Sequence, residues 1–282
     1  MTTRHINATT VLGDELKFKS LEGTEKLSDL FHYSVELVSE RGDLDLEQLL
    51  GTPLDIRVEI SQGKRYFQGL ITQLQYVAPL EATQRHHIYR FEINPWLWLA
   101  TQNTNNRIFQ HLTVPMILEK VLEKYPFSYE LRLQEDYREW PYSVQYDETD
   151  FQFMSRLMEF EGIYYYFEHK EGEHKLVFAD LSNAHSPLPS GDTLINYHAD
   201  DQSIPSHGPV IRDWGFVDSL YSDKHTMVDY DFEKASVKLD VTHTLSKHNG
   251  KSMEIYDPLP GYFEVDDGER YVRIAAESEA WK

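Results

Sequence analysis

The 282 residues contain no cysteine. That excludes a disulfide framework and thiolate chemistry; it suits a reducing cytoplasm and is equally compatible with an exported protein. Positive charge is scarce, with Lys and Arg totalling 27 against 47 Asp and Glu, a formal charge of −20. Phosphate binding draws its affinity from clustered Lys and Arg, so a chain with neither the excess nor the clusters is not expected to bind nucleic acid. Long apolar runs are missing too. The longest, around Pro95 to Ala100, is far too short to cross a bilayer, and the start Met-Thr-Thr-Arg-His-Ile-Asn lacks the apolar core of a Sec-type signal. No stable membrane insertion is expected. Gly-x-Ser-x-Gly, His-Glu-x-x-His, the phosphate loop and Gly-x-Gly-x-x-Gly are all absent. The common motif routes to a hydrolase, a zinc protease or a nucleotide enzyme are therefore closed.

What is present favours sheet. Aromatics make up 13% of the chain, with Tyr 18 and Phe 14, residue types that suit a half-buried pleated surface. Leu54, Ile56, Val58 and Ile60 alternate with Asp55, Arg57 and Glu59, the period of two of a strand with one face on a core. Ser61 to Lys64 reads as a hairpin loop, after which Tyr66 to Tyr76 returns as a strand with a bend expected at Gly69. Tyr89, Phe91 and Ile93 give a third strand, stopped by Asn94-Pro95, and Tyr33, Val35 and Leu37 give another. Asp45 to Leu50 reads as one helical turn. Strands joined by short turns tend to close as a barrel or stack as a sandwich, because open edges are costly.

The period then changes. After Thr113 as N-cap and Pro115 in the first turn, Ile117, Leu118, Val121, Leu122 and Tyr125 recur at three- and four-residue spacing, which predicts an amphipathic helix ending before Pro126. Thr149-Asp150-Phe151-Gln152 has the form of a capping box and opens a second helix running to Gly162. Ile163 to Phe167 and Leu176 to Phe178 flank the turn Lys170-Glu171-Gly172-Glu173 as a hairpin. From Leu181 to Gly208 the chain is loop-rich, with a short strand expected at Thr193 to Tyr197. Strand patterns resume at Val210 to Val217, Thr226 to Phe232, Val237 to His243 and Met253 to Tyr256, so two β blocks flank a helical middle. Asp266-Asp267-Gly268-Glu269 starts a final helix through Tyr271, Ile274, Ala275 and Trp281, and an ending without a C-cap predicts that further residues follow.

Side chains that could carry chemistry each have a plainer reading. His169 and His174 can face one another across the hairpin, but a zinc site needs a third and usually a fourth ligand, and exposed hairpin histidines more often make hydrogen bonds or meet water. His86 and His87 point to opposite faces of a strand, and His243 with His248 is weaker still. Among Tyr164-Tyr165-Tyr166-Phe167, alternate rings belong to core and interface, and Pro95-Trp96-Leu97-Trp98 reads as buried packing ahead of a carbohydrate shelf. With 47 carboxylates some pair looks by chance like a general acid and base, but no motif positions one, so glycosidase chemistry is disfavoured. No catalytic, metal-ligating or cofactor-binding residue is expected, nor any cofactor.

Several stretches carry a resemblance. Asn106-Arg107-Ile108-Phe109-Gln110 followed by Thr113-Val114-Pro115 is similar to a recurrent segment of the VgrG family, the spike proteins of bacterial type VI secretion. Asp150-Phe151, Phe153, Arg156-Leu157-Met158-Glu159 and Glu161 to His169, closed by His174, Leu176-Val177 and Ala179-Asp180, resemble the family's most recognisable block. Glu22-Gly23, Leu27-Ser28, Leu30-Phe31, Pro95 to Leu99, Tyr256-Asp257-Pro258 and Pro260-Gly261 extend the likeness over nearly the whole chain. Phe160 departs from the acidic residue common in the family, and the Pro-Leu-Pro around Leu259 from its aromatic-Pro-Gly form.

The resemblance implies a mainly β fold with some α: two antiparallel, tube-like β-barrel domains with a helical and hairpin middle, as in phage baseplate hubs. The expected division is 1–105 for the first barrel, 106–180 for the helix-helix-hairpin insertion, 181–265 for the second barrel and 266–282 for a helix leading toward an OB-fold and needle. It further implies a homotrimer whose six barrels seat the spike on the hexameric Hcp tube, consistent with two tube-like units per chain matching sixfold symmetry. Baseplate proteins are expected partners, and a tip protein and effectors would join through C-terminal regions. The expected path is assembly in the bacterial cytoplasm, then secretion or delivery into a target cell. Such a protein is structural and not an enzyme. A contractile phage tail hub shares the fold, and a carbohydrate- or peptidoglycan-active enzyme is the remaining alternative.

Overall fold

The computed structural model describes residues 6–60, 63–79, 86–185, 196–197, 210–211, 213–217, 219–234, 236–245, 252–258 and 260–280. Six strands form the first layer: β1 (Ile6–Thr9), β2 (Lys17–Thr24), β3 (His32–Ser39), β4 (Pro53–Ile60), β5 (Gly63–Pro79) and β6 (His87–Asn94). They pair antiparallel throughout in the order β1-β4-β5-β6-β3-β2. The sheet curls until its edge strands β1 and β2 approach one another. Alternation explains the core: Tyr33, Val35 and Leu37, Leu54 and Ile56, and Tyr89, Phe91 and Ile93 all point inward and are buried together with Leu16, Leu49 and Ile71. The turn expected at Asp45 to Leu50 is a 3-10 turn at Glu47–Leu49. Of the loop expected over Ser61 to Lys64, Gly63 and Lys64 already belong to β5, paired with Ile60 and Glu59, and Ser61 and Gln62 lie outside the described residues.

No register shift falls at Gly69 in β5. The register shifts fall later, between Ile71 and Gln73 and between Tyr76 and Ala78. Gly69 instead permits close approach, since a Cβ there would lie 2.7 Å from Ile93 Cγ2 and 2.8 Å from the carbonyl oxygen of Asn94.

The middle of the chain holds α1 (Val114–Leu122) and α2 (Asp150–Glu161). Thr113 Oγ1 accepts from the amide of Met116, and α2 begins with the full capping box, Thr149 Oγ1 accepting from Gln152 N and Gln152 Oε1 from Thr149 N. Gly162 closes α2 in the left-handed conformation at φ 73°. Three strands without a clear sequence pattern accompany them, β7 (Thr104–Phe109) before α1, and β8 (Tyr129–Arg132) and β9 (Ser143–Thr149) between the helices. β7 pairs with β9, while β8 adds in parallel to the hairpin of β10 (Tyr164–Lys170) and β11 (Glu173–Ala179). One apolar cluster unites the layer: Ile117, Leu118, Val121, Phe153, Leu157, Tyr165 and Phe178 pack with Trp96, Leu97 and Ala100. The last three belong to a 3-10 helix at Trp96–Gln102, and Trp96 is stacked on Phe127 at 5.3 Å. Packing is thus the role of Trp96, as its apolar surroundings predict.

In the second β block, β12 (Asn196–Tyr197) and β13 (Val210–Ile211) pair in parallel, and β14 (Lys224–Asp229) lies between β15 (Leu239–Thr244), antiparallel, and β16 (Glu254–Pro258), parallel. α3 (Val265–Ala280) packs on β14 and β15. Met227, Leu239, Val241, Tyr262, Tyr271 and Val272 form this third core, with Phe160 of α2 against it. The strand expected over Val210 to Val217 stops at Ile211, and Asp213 to Val217 is exposed chain outside any strand. Most of the strand expected at Thr193 to Tyr197, together with His248, Leu259 and Trp281, lies outside the described residues.

Candidate functional site

Two features of the surface and its supports distinguish this chain: exposed apolar chain in the second β block and buried carboxylates that fix the middle layer. Trp214, Phe216, Val217, Leu220, Tyr230 and Phe232 are exposed, with Phe216 at 87% and Val217 at 89%, close to the exposure of an unfolded chain. The Trp214 and Phe216 rings meet edge to face with centroids 6.0 Å apart. Each large apolar side chain left in water forgoes roughly 1.5–3 kcal/mol of burial free energy, so a run of them marks a surface meant to be covered. A smaller group, Ile108, Met116, Tyr142 and Tyr146, is exposed around β7, β9 and α1.

Asp150 is fully buried at the first position of α2. Its carboxylate accepts from Arg107 Nη2 at 2.6 Å, Tyr125 OH at 2.8 Å and Gln145 Nε2 at 3.0 Å, and pairs with Lys124 Nζ. Burial pushes its pKa up, but the hydrogen bonds from Lys124, Gln145 and Tyr125 and the charge of Arg107 outweigh that and hold it below the usual carboxylate range. Glu161, buried at the other end of α2, accepts from Arg270 Nη1 at 2.5 Å, Trp140 Nε1 at 2.9 Å and Tyr271 OH at 3.1 Å. α2 is therefore pinned at both ends by buried carboxyl groups, Asp150 to β7, β9 and the residues just after α1, and Glu161 to α3. Across β8, β10 and β11, Glu130, Arg132, Glu168 and Lys175 form a ladder of ion pairs. Hydrogen bonds from Arg132 and Lys175 push the Glu130 carboxyl down to about 2.

Among the described residues no group of three or more His, Asp or Glu side chains is placed to hold a metal ion. His169 and His174 are cross-strand partners. His174 is buried at 4% exposure, not at the surface as a hairpin position suggests, and both rings are engaged in hydrogen bonds. His87 Nδ1 meets Tyr76 OH at 2.9 Å. Of the four consecutive aromatics Tyr165 is buried, while Tyr164 OH donates to the carbonyl of Leu181 and Tyr166 OH accepts from Arg132. A cleft of about 880 Å³ bordered by α2, β10 and α3 is lined by charges of both signs such as Glu135, Glu159, Arg273 and Glu277. The anchoring roles of Asp150 and Glu161 escaped sequence reasoning; an acidic residue at a helix start explains itself as a cap, and the cationic partners Arg107, Lys124 and Arg270 are distant in sequence.

The curled sheet, the helical middle and the strand-and-helix block define the protein's class. Residues 24–281 match the phage tail baseplate hub family (GPD), and the chain belongs to that family. Its curated relatives narrow the branch. It is 35% identical to the type VI secretion system spike protein VgrG1b of Pseudomonas aeruginosa, over 98% of this chain and 37% of that protein. It is 37% identical to VgrG1a of the same organism, over 98% of this chain and 43% of the relative. The chain thus spans about two fifths of the length of these relatives. Among solved structures, a type VI secretion component from E. coli, described as similar to T4 phage tail proteins gp27 and gp5, superposes with a TM-score of 0.54 at 25% identity, over 66% of this chain and 50% of the other. A tail protein from Neisseria meningitidis shares the fold with a TM-score of 0.58 at 10% identity, over 95% of this chain and 74% of that one.

Proposed function

We propose that this chain is the hub region of a type VI secretion spike, a structural part that assembles as a homotrimer, caps the hexameric Hcp tube and takes part in delivering effectors to target cells. The observation that carries this reading is the match to spike proteins over 98% of the chain. The exposed Trp214, Phe216, Val217 and Phe232 support self-association, because isolated apolar surface of this kind gains stability when a second copy covers it. The proposed division is 1–105, 106–180, 181–265 and 266–282, the last of these a helix leading toward an OB-fold and needle; the first sheet, the middle and the second block each have an apolar core, with Trp96 and Leu97 joining the middle one and Tyr271 and Val272 the third. On this reading the second block is a barrel related to the first.

The work done is mechanical. The chain makes and breaks no bond, needs no cofactor or metal, and binds no nucleic acid. Baseplate proteins contact the collar, and a tip protein and effectors join through regions beyond it. Assembly takes place in the bacterial cytoplasm and is followed by ejection. The oligomeric mass of the purified chain, measured with and without the tube protein, tests the reading. A trimer that forms a larger complex with tube hexamers supports it; a monomer that ignores the tube under all conditions overturns it.

A further inference from the structure

The hairpin of β10 and β11 is fastened to the first sheet by two imidazoles, and both fasten it in the same way. His169 Nδ1 accepts the backbone N–H of Gln68 in β5 at 3.1 Å. With that nitrogen bare, the proton sits on Nε2, which donates to Tyr33 OH at 3.2 Å, and Tyr33 in turn donates to Glu25 Oε1 at 2.9 Å. His174 Nε2 accepts the backbone N–H of Trp96 at 2.8 Å, so its proton is on Nδ1 and donates to the side-chain oxygen of Gln68. Trp96 opens the 3-10 helix, and no side chain of its N-cap residue Pro95 satisfies the helix start. The His174 ring satisfies that N–H at the positive end of the helix.

We propose that His169 and His174 form an acid-released latch: as neutral rings they lock the hairpin onto β5 and the Trp96 helix, and protonation turns each accepting nitrogen into a donor facing an N–H, which releases the hairpin. Two N–H groups cannot bond one another, and a buried donor left without an acceptor carries its full desolvation penalty. The surroundings do little to favour a cation. His169 faces Tyr33, Phe31 and Phe67, with the carboxylate of Glu25 favouring the charged form and Arg65 opposing it. His174 faces Phe31, Phe167 and His169 itself, so protonating either ring disfavours the other. At the hairpin tip, Glu171 accepts from Tyr66 OH, and Asp55 lies beside it. Burial pushes His169 down to about 4 against the opposing Glu25 charge and Gln68 contact, and burial together with the neighbouring His169 pushes His174 down to about 3.

A group whose pKa is lowered by folding binds more protons unfolded than folded between the two values. The latch is therefore fully formed above a pH of about 6.5 and loses stability as pH falls below it, ahead of most carboxylates, whose unfolded values lie near 4. Between pH 7.5 and 5 each histidine raises the opening constant by about thirtyfold. The latch concerns the fold itself and stands apart from the secretion reading.

The test is urea unfolding of the whole chain at pH 7.5, 6.5, 5.5 and 5, for the wild type and for a His169→Asn, His174→Gln variant. The amide oxygens of that variant can accept the same two N–H groups without titrating. The wild-type midpoint should fall steeply over this range and that of the variant far less; parallel pH dependences overturn the latch. Should the variant not fold, hydrogen exchange of the wild type, corrected for intrinsic rates, decides. Protection at the Gln68 and Trp96 amides should drop at least tenfold from pH 7 to 5 relative to Phe91 in the sheet core, and an unchanged ratio overturns the proposal.

Discussion

Arg270 and Glu161 lie 109 residues apart and meet at 2.5 Å, and a second bond from Arg270 Nη2 reaches the carbonyl oxygen of Glu161 at 2.9 Å. One guanidinium thus caps the C-terminal end of α2 and pairs with its buried last side chain. The same contact brings α3, the most C-terminal element described, against the helical middle. Truncating one partner leaves an uncompensated buried charge. Arg270→Ala should lower unfolding free energy by about 3–5 kcal/mol in urea titration. A double Arg270→Ala, Glu161→Gln variant should cost clearly less than the sum of the singles, since it removes the stranded charge as well.

Asp150 anchors the other end of α2. Because its carboxyl titrates below the ordinary range in the folded chain, its contribution is complete above a pH of about 4 and is lost as pH falls through the folded value. Asp150→Asn should destabilise the chain at pH 7 by about 3–5 kcal/mol and flatten the acid limb of a stability profile below pH 4. That limb lies below the histidine window, so the two can be read separately.

Gly69 is held by space, not by a turn. Gly69→Ala would press a methyl group into Ile93 and the backbone of Asn94 in the neighbouring strand. A loss of about 1–3 kcal/mol is expected, seen as a lower thermal midpoint with the circular dichroism spectrum unchanged.

The exposed aromatics carry the opposite expectation. Phe216→Ser and Phe232→Ser should leave the unfolding free energy of the monomer within about 0.5 kcal/mol while weakening self-association in sedimentation. Three copies at −20 each would bring together −60, so association should strengthen as salt rises from low values. A sedimentation series across ionic strength reads that sign directly.

The elements legible in the sequence are those whose pattern is local. Leu54 to Ile60 and Tyr89 to Ile93 announce strands by alternation, and Thr149 with Gln152 announces α2 by a cap closed within four residues. β2 and β8 were not legible: Lys17–Thr24 is largely polar, and Tyr129–Arg132 is four residues long with a partner some forty-seven positions away. Val210 to Val217 misled in the other direction. Apolar content predicts a strand there, yet a strand also needs a neighbour, and beyond Ile211 the described structure offers none. Likewise Glu161 reads as one acid among many until Arg270 and Trp140 are brought to it by the fold.

The parallel docking of β8 on β11 sets an order of events. Tyr129 cannot find Leu176 until the later strand has been synthesised and turned back on β10, because the two partners run in the same direction with β9, helix α2 and β10 between them. A ribosome therefore releases the apolar side of α1 well before the sheet that completes its shelter exists. Chaperone occupancy on the nascent chain should be greatest in that interval and end once β11 has emerged.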